Sequence, residues 1–196
     1  MQRLTLRAAT LAFTQTRGRS VAHVIEVCID AGHGGTDPGC VSKDKKTYES
    51  KIALDVAKRL SDKIKSGFPD VKVVMTRSTD TFITLAGRAD VANKNNADLF
   101  ISIHVNTASS SAANGYSIHV LGQSSNKNRD LFAYNMDVCK RENSVIMMED
   151  DYTTKYQGFD PSDPESFIFF NLMQNAHLEQ SLRFAERSEE RRVGKE

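Results

Sequence analysis

A chain of 196 residues with 39% hydrophobic and 26% charged residues is long enough to bury a sizeable core as one domain, without disulfide or metal staples. Its formal charge of +1 excludes the strongly basic surface of a general nucleic-acid binder, and no run approaches the roughly 18 apolar residues of a membrane span. Cys28, Cys40 and Cys139 share no CxxC spacing, which leaves no thiolate knuckle or disulfide framework, and all three read as packing or bystander thiols.

Residues 1–22 read as a disordered start or a degenerate export signal, because Arg7 interrupts the apolar patch and Ala8–Phe13 is shorter than a secretory h-region. From Val24 to Ile29 the branched apolar character predicts a buried strand. It ends in Asp30-Ala31-Gly32-His33-Gly34-Gly35, where glycines open backbone angles closed to other residues and display a histidine at the strand end.

A polar loop from Thr36 to Thr47 leads to a helix beginning at Tyr48 or Glu49, with Thr47 as the predicted N-cap. Ile52, Val56, Leu60 and Ile64 lay an apolar stripe along it, Ala53 and Ala57 lie beside them, and Gly67 with Pro69 stops it. Val71–Met75 is a short strand, Leu85–Asn95 a helix turning Leu85, Ala89 and Ala92 inward, and Asp98–His104 a third strand that also ends in a histidine. This alternation predicts an α/β fold, a mostly parallel twisted sheet with helices on both faces.

Gly115–Leu121 reads as a further strand, Asp130–Glu142 and Glu165–Glu186 as helical, Glu149-Asp150-Asp151 as an acidic knot, and Arg187–Glu196 as a charged, frayed end.

Right-handed crossovers bring strand C-termini and the starts of the following helices to one sheet edge. His33, Glu49 and His104 therefore share that edge. Singly, a strand-end histidine is commonly an ordinary polar residue, and a first-turn glutamate favours the helix dipole whatever its function. Together, two imidazoles and a carboxylate suit a catalytic divalent metal, zinc above all, with the fourth position left for water. Such an ion lowers the pKa of bound water to about 7 and polarises a carbonyl, which implies hydrolysis of an amide or ester.

The segments IDAGHGGTDPG, YESKIALDVAKRL and VVMTRSTDTFITLAGRADVANKNNADLFISIHVN, with the glycine-led strand after them, resemble the N-acetylmuramoyl-L-alanine amidases of the zinc-dependent amidase-3 family. The resemblance covers about residues 24–121 in the family's order and spacing. It implies Zn2+ on His33, Glu49 and His104, and cleavage of the amide between the lactyl group of N-acetylmuramic acid and L-alanine in peptidoglycan, as in wall remodelling or daughter-cell separation. A periplasmic or extracellular location follows from that substrate.

Arg77 and Arg88 resemble arginines that brace the sheet edge and its connector, and Asn106 is positioned to orient a loop or touch substrate. His119 reads as a strand-surface residue rather than a fourth ligand, while His23 and His177 have no supporting context. Residues 140–180 resemble an insertion of Bacteroidetes-like amidases, which in some relatives covers the zinc until an activator protein displaces it; Glu149 and Glu165 are the acidic plug candidates, against the reading of a solvated surface excursion.

The departure from the family is at the C-terminus. Members continue into a final strand bearing a second essential glutamate, the general base; here that strand is missing, and Glu186, Glu189, Glu190 and Glu196 lie where nothing positions them near a metal. No residue is assigned as catalytic base. The expected organisation is thus residues 1–22 outside the fold, an amidase-like domain at 23–186 with its insertion at about 140–180, and a tail at 187–196 foreign to the family, from a C-terminally truncated gene. Two functions follow: a zinc amidase, or a catalytically incomplete metal-binding or cell-wall-binding fragment.

Overall fold

The structure is a computed structural model that describes residues 5–13, 25–106, 115–120, 142 and 178–193. In chain order the elements are β1 (Thr5–Phe13), β2 (Glu26–Ala31), α1 (Glu49–Gly67), β3 (Lys72–Met75), α2 (Leu85–Lys94), β4 (Leu99–Asn106), β5 (Ile118–Val120) and α3 (Leu178–Val193). The five strands form one sheet in the order β3-β2-β4-β1-β5. β2 pairs in parallel with β3 and β4, and β1 with β5, while β1 and β4 run antiparallel. The predicted α/β architecture with a mostly parallel sheet is what the chain adopts.

Strand alternation sorts the core into two faces. On one, Val27, Ile29, Ala31, Leu99, Ile101 and Ile103 bury against Ala53 and Ala57 of α1. Both alanines are wholly buried, and their small side chains let the helix lie close on the sheet. On the other face Cys28 packs with Ala92 of α2, Ala97, Val74 and Phe100. Cys28 is the packing residue that its setting predicts: burial, then the nearby Asp30 and Glu26 carboxylates, push its thiol up to about 12.

Several boundaries differ from expectation. Thr5–Phe13 lies inside the sheet instead of outside the fold: it pairs from Thr5↔Asn106 to Phe13↔Leu99 along β4, and offers its other edge to β5. The register shifts between Leu6 and Ala8, at the same Arg7 that breaks the apolar run. A signal-peptide reading asks for an uninterrupted apolar stretch, whereas a strand between two partners needs only free backbone donors and acceptors.

α1 starts at Glu49 with Tyr48, not Thr47, at its N-cap, and no side chain caps it. The loop supplies the missing acceptors: Glu49 N–H donates to the Cys40 carbonyl and Ser50 N–H to that of Pro38. In α2 the buried residues are Arg88 and Ala92, and Ala89 faces outward. Thr84 caps that helix by accepting from Gly87 N–H at 3.0 Å. At the other end of the chain, α3 continues to Val193 through most of the stretch expected to fray.

Candidate metal centre

His33 sits just beyond β2 and takes a left-handed backbone conformation itself, with φ of 60°. That is costly for a residue with a Cβ and persists only where surrounding bonds enforce it. Those bonds come from two buried arginines. Arg88 donates from Nη2 to the His33 carbonyl at 2.9 Å, from Nη1 to the Ala31 carbonyl at 2.8 Å and from Nη1 to Asp30 at 2.7 Å. Arg77 donates from Nε to the Ala31 carbonyl and from Nη2 to the carbonyls of Gly32 and Ser50, each at 2.8 Å. Both arginines thus brace the sheet edge.

Asp30 is the counter-ion of Arg88 and also accepts from Thr76 Oγ1 at 2.6 Å and Ser102 Oγ at 2.7 Å. Burial alone would raise its pKa, but Arg88, Ser102 and Thr76 together hold it below the usual carboxylate value.

Four side chains converge at the edge: His33, Glu49, His104 and Glu142, with one ligand atom of each lying within 4.8 Å of all the others. His33 Nε2 lies 3.2 Å from Glu49 Oε1 and 3.3 Å from Glu142 Oε2. His104 Nδ1 lies 3.2 Å from Glu49 Oε1, 2.8 Å from Glu142 Oε2 and 3.1 Å from His33 Nε2. The imidazoles meet edge to face, their planes at 84°.

Two of these side chains, His33 and Glu49, are oriented from behind. His33 directs Nδ1 at Asp37 Oδ2 across 2.7 Å, which turns Nε2 toward the cluster. The other Asp37 oxygen accepts from Gly39 N–H at 3.0 Å. Glu49, wholly buried, accepts from Val105 N–H at 2.7 Å through Oε1 and from Cys40 N–H at 2.9 Å through Oε2.

Glycine is required at two neighbouring positions. A Cβ on Gly32 would stand 2.5 Å from His104 Cε1, and one on Gly39, where φ is 63°, would stand 2.6 Å from His33 Cδ2.

The electrostatics follow from crowding two imidazoles between carboxylates. Burial by itself lowers the His33 pKa, but Asp37, Glu142 and Glu49 raise it to about 11. For His104, burial is overcome by Glu142 and Glu49, which raise it to about 9. Burial opposes ionisation of Glu49 and Glu142, yet the two imidazoles hold both well below the usual carboxylate range.

The four atoms lie within 4.8 Å of one another, a spacing that a cation among them would suit. A tetrahedral ion with bonds of about 2.0–2.1 Å separates its ligand atoms by about 3.3–3.4 Å. The spacings of 2.8–3.3 Å between imidazole nitrogens and carboxylate oxygens are close to that, so the donor set fits a first-row divalent ion.

His33, Glu49 and His104 are thus brought together, as their places on the sheet edge predict. Glu142 is the residue that sequence reasoning missed; it lies where the helical stretch Asp130–Glu142 meets the start of the insertion at about 140–180. Asn106 ends β4 two residues past His104, opposite Thr5. His119 is half-buried, with Nε2 2.9 Å from Ser117 Oγ. Glu149, Glu165, His23, His177 and Cys139 lie outside the described residues.

Among characterised sequences, the chain is 37% identical over 97 residues to a probable N-acetylmuramoyl-L-alanine amidase AmiB of Haemophilus influenzae, a stretch that is 50% of this chain and 22% of that protein. It is 44% identical over 98 residues to the N-acetylmuramoyl-L-alanine amidase AmiC of Escherichia coli, covering 50% of this chain and 23% of that one. The chain therefore spans about a quarter of the length of these relatives. Among solved structures, the catalytic domain of CwlV, an N-acetylmuramoyl-L-alanine amidase from Bacillus (Paenibacillus) polymyxa var. colistinus, is 38% identical with a TM-score of 0.44, over 60% of this chain and 63% of that one. The Amidase_3 family, described as N-acetylmuramoyl-L-alanine amidase, matches residues 27–195, a span that takes in nearly all of the tail the sequence reading set apart. By that match the chain belongs to the N-acetylmuramoyl-L-alanine amidase family, and the cluster of His33, Glu49, His104 and Glu142 lies within the matched region.

Proposed function

We propose that this chain carries a zinc-dependent amidase site for peptidoglycan, hydrolysing the amide between N-acetylmuramic acid and the L-alanine of the stem peptide. The observation that carries this reading is the convergence of His33 Nε2, His104 Nδ1 and Glu49 Oε1 within a family-matched segment. When bound, zinc would supply a hydroxide near neutral pH and polarise the scissile carbonyl.

The chain's own part is to present those ligands already oriented. Asp37 keeps the Nδ1 proton of His33, leaving the Nε2 lone pair for the metal. The N–H groups of Val105 and Cys40 hold the Glu49 carboxylate in one orientation. Asn106, at the end of β4, is assigned a substrate contact on its position alone.

Glu142 is assigned to the fourth corner, where it takes the place that a hydrolytic site leaves open for water. It belongs to the residues 140–180 that resemble a covering insertion, so turnover requires its carboxylate to leave, by displacement through an activator protein or by movement of its own segment. In this reading Glu142 is a plug that contacts the ligands. With peptidoglycan as substrate, the site of action is outside the cytoplasmic membrane. Among the described residues no helix is long and apolar enough to cross a membrane.

A second reading rests on the same closed geometry. Four protein ligands are the mark of a structural metal site, which favours a metal-binding or wall-binding fragment without turnover. Digestion of purified sacculi, scored by release of stem peptides with a free L-alanine amino terminus, separates the two. The amidase reading expects release that His33→Ala and His104→Ala abolish and Glu142→Gln increases severalfold. No release from either the parent chain or Glu142→Gln, with metal bound, establishes the fragment reading. A parent chain that turns over and a Glu142→Gln variant that does not would make Glu142 the base instead of the plug.

A further inference from the structure

Arg77 and Arg88 together touch the segments that bear His33 and Glu49, and reach the strand of His104 through Asp30. Arg77 donates to the Gly32 carbonyl, the residue before His33, and to the Ser50 carbonyl, the residue after Glu49, from the same Nη2 atom. One planar group thus sets the separation between the end of β2 and the start of α1. A further bond, from Nη1 to the Thr79 carbonyl at 3.1 Å, braces the guanidinium within its own connector after β3.

Arg88 makes the complementary link. Its Nη2 holds the His33 carbonyl, its Nη1 holds Asp30, and the far oxygen of Asp30 takes the Ser102 hydroxyl on β4, two residues before His104. Both guanidinium groups are buried, with residue exposures of 3% and 6%, and neither donates to any of the four side chains at the centre.

We propose that Arg77 and Arg88 are positioning residues that set metal affinity and coordination geometry, acting as a two-guanidinium clamp on the backbones that carry His33 and Glu49, with Asp30 relaying the clamp to the strand of His104. The inference rests on the reading of this cluster as a metal centre. A guanidinium is suited to the task because its donors sit in a rigid plane, so several carbonyls are held at fixed relative positions; a lysine keeps the charge but holds them through a flexible stem. The strained φ at His33 is the local sign of that constraint.

The test uses the full chain with Zn2+ and Co2+ as probes. Dissociation constants are measured by chelator competition, Co2+ visible spectra report the ligand geometry, and melting of the metal-free chain reports stability. Arg77→Lys and Arg88→Lys are each expected to weaken Zn2+ binding by about 10–100-fold, the range for residues that orient metal ligands, and to alter the Co2+ spectrum.

Ile64→Ala, a change in the core at the far end of α1, supplies a control destabilised without touching the clamp. Ser102→Ala cuts only the Asp30 link to β4, and a severalfold loss of affinity is expected should a lysine variant fail to fold. Affinities and spectra equal to the parent's in the variants overturn the clamp alone, as does an equal loss of affinity in Ile64→Ala at matched stability. A parent chain that binds neither ion overturns the metal reading and the clamp with it.

Discussion

Residues 25–106 and the elements outside them build the same sheet by different means. Within the first block, β2 pairs in parallel with both strands that follow it, β3 and β4, and the clustered His33, Glu49 and His104 all come from its strand and helix ends. Outside it, β1 reaches β4 from the start of the sequence, β5 docks on β1, and Glu142 enters the cluster from downstream. The block brings two histidines and a glutamate to one edge by topology; the rest decides how that edge is closed.

Substitutions in the block should therefore cost more than those outside it, and the largest cost belongs to Asp30. Asp30→Ala leaves Arg88 as an unpaired buried charge, and a loss of about 3–5 kcal/mol is expected in urea unfolding. The same group sets an acid limit. Because its native pKa lies below the ordinary value of 3.8, its contribution is complete above that pH and disappears as pH falls through the depressed native value. Asp30→Asn should flatten the stability profile over that acid range, and an unchanged slope would mean that other carboxylates govern acid unfolding.

Ile29 is wholly buried at the centre of the first core face, whereas Ile118 of β5 is half-buried at its margin. Ile29→Ala should cost about 2–5 kcal/mol and Ile118→Ala about 1 kcal/mol. Equal costs would erase the contrast between the block and its surroundings.

Gly32→Ala forces a methyl group into the His104 ring, with an expected loss of about 1–3 kcal/mol in thermal unfolding. Metal binding should fall further than stability does, because the displaced ring carries Nδ1 with it. Thr84→Ala removes the α2 cap and should cost about 1 kcal/mol, as little as Ile118→Ala, read as a lowered midpoint in denaturant.

Much of this arrangement is legible in the residues. The alternation from Val24 to His104 announces strands and crossovers, and once these are right-handed, His33, Glu49 and His104 must share an edge. Gly67 and Pro69 mark the end of α1 just as legibly. The stripe on α2 is a different case. Ala89 has the polarity of a buried residue and Arg88 that of an exposed one, yet the structure reverses them, because Asp30 offers a buried counter-ion that no helical period encodes.

By itself, then, the sequence determined the order of elements, the sorting of apolar residues onto two faces, and the three side chains, His33, Glu49 and His104, that local crossovers carry to one place. Only the tertiary structure decided that Thr5–Phe13 lies between β4 and β5, that Arg77 and Arg88 hold the ligand-bearing backbones, and that Glu142 completes the cluster. The physical reason is range. Periodicity and turn chemistry act over a few residues, whereas a strand edge, a carbonyl or an imidazole accepts whichever distant partner the fold brings within hydrogen-bond reach.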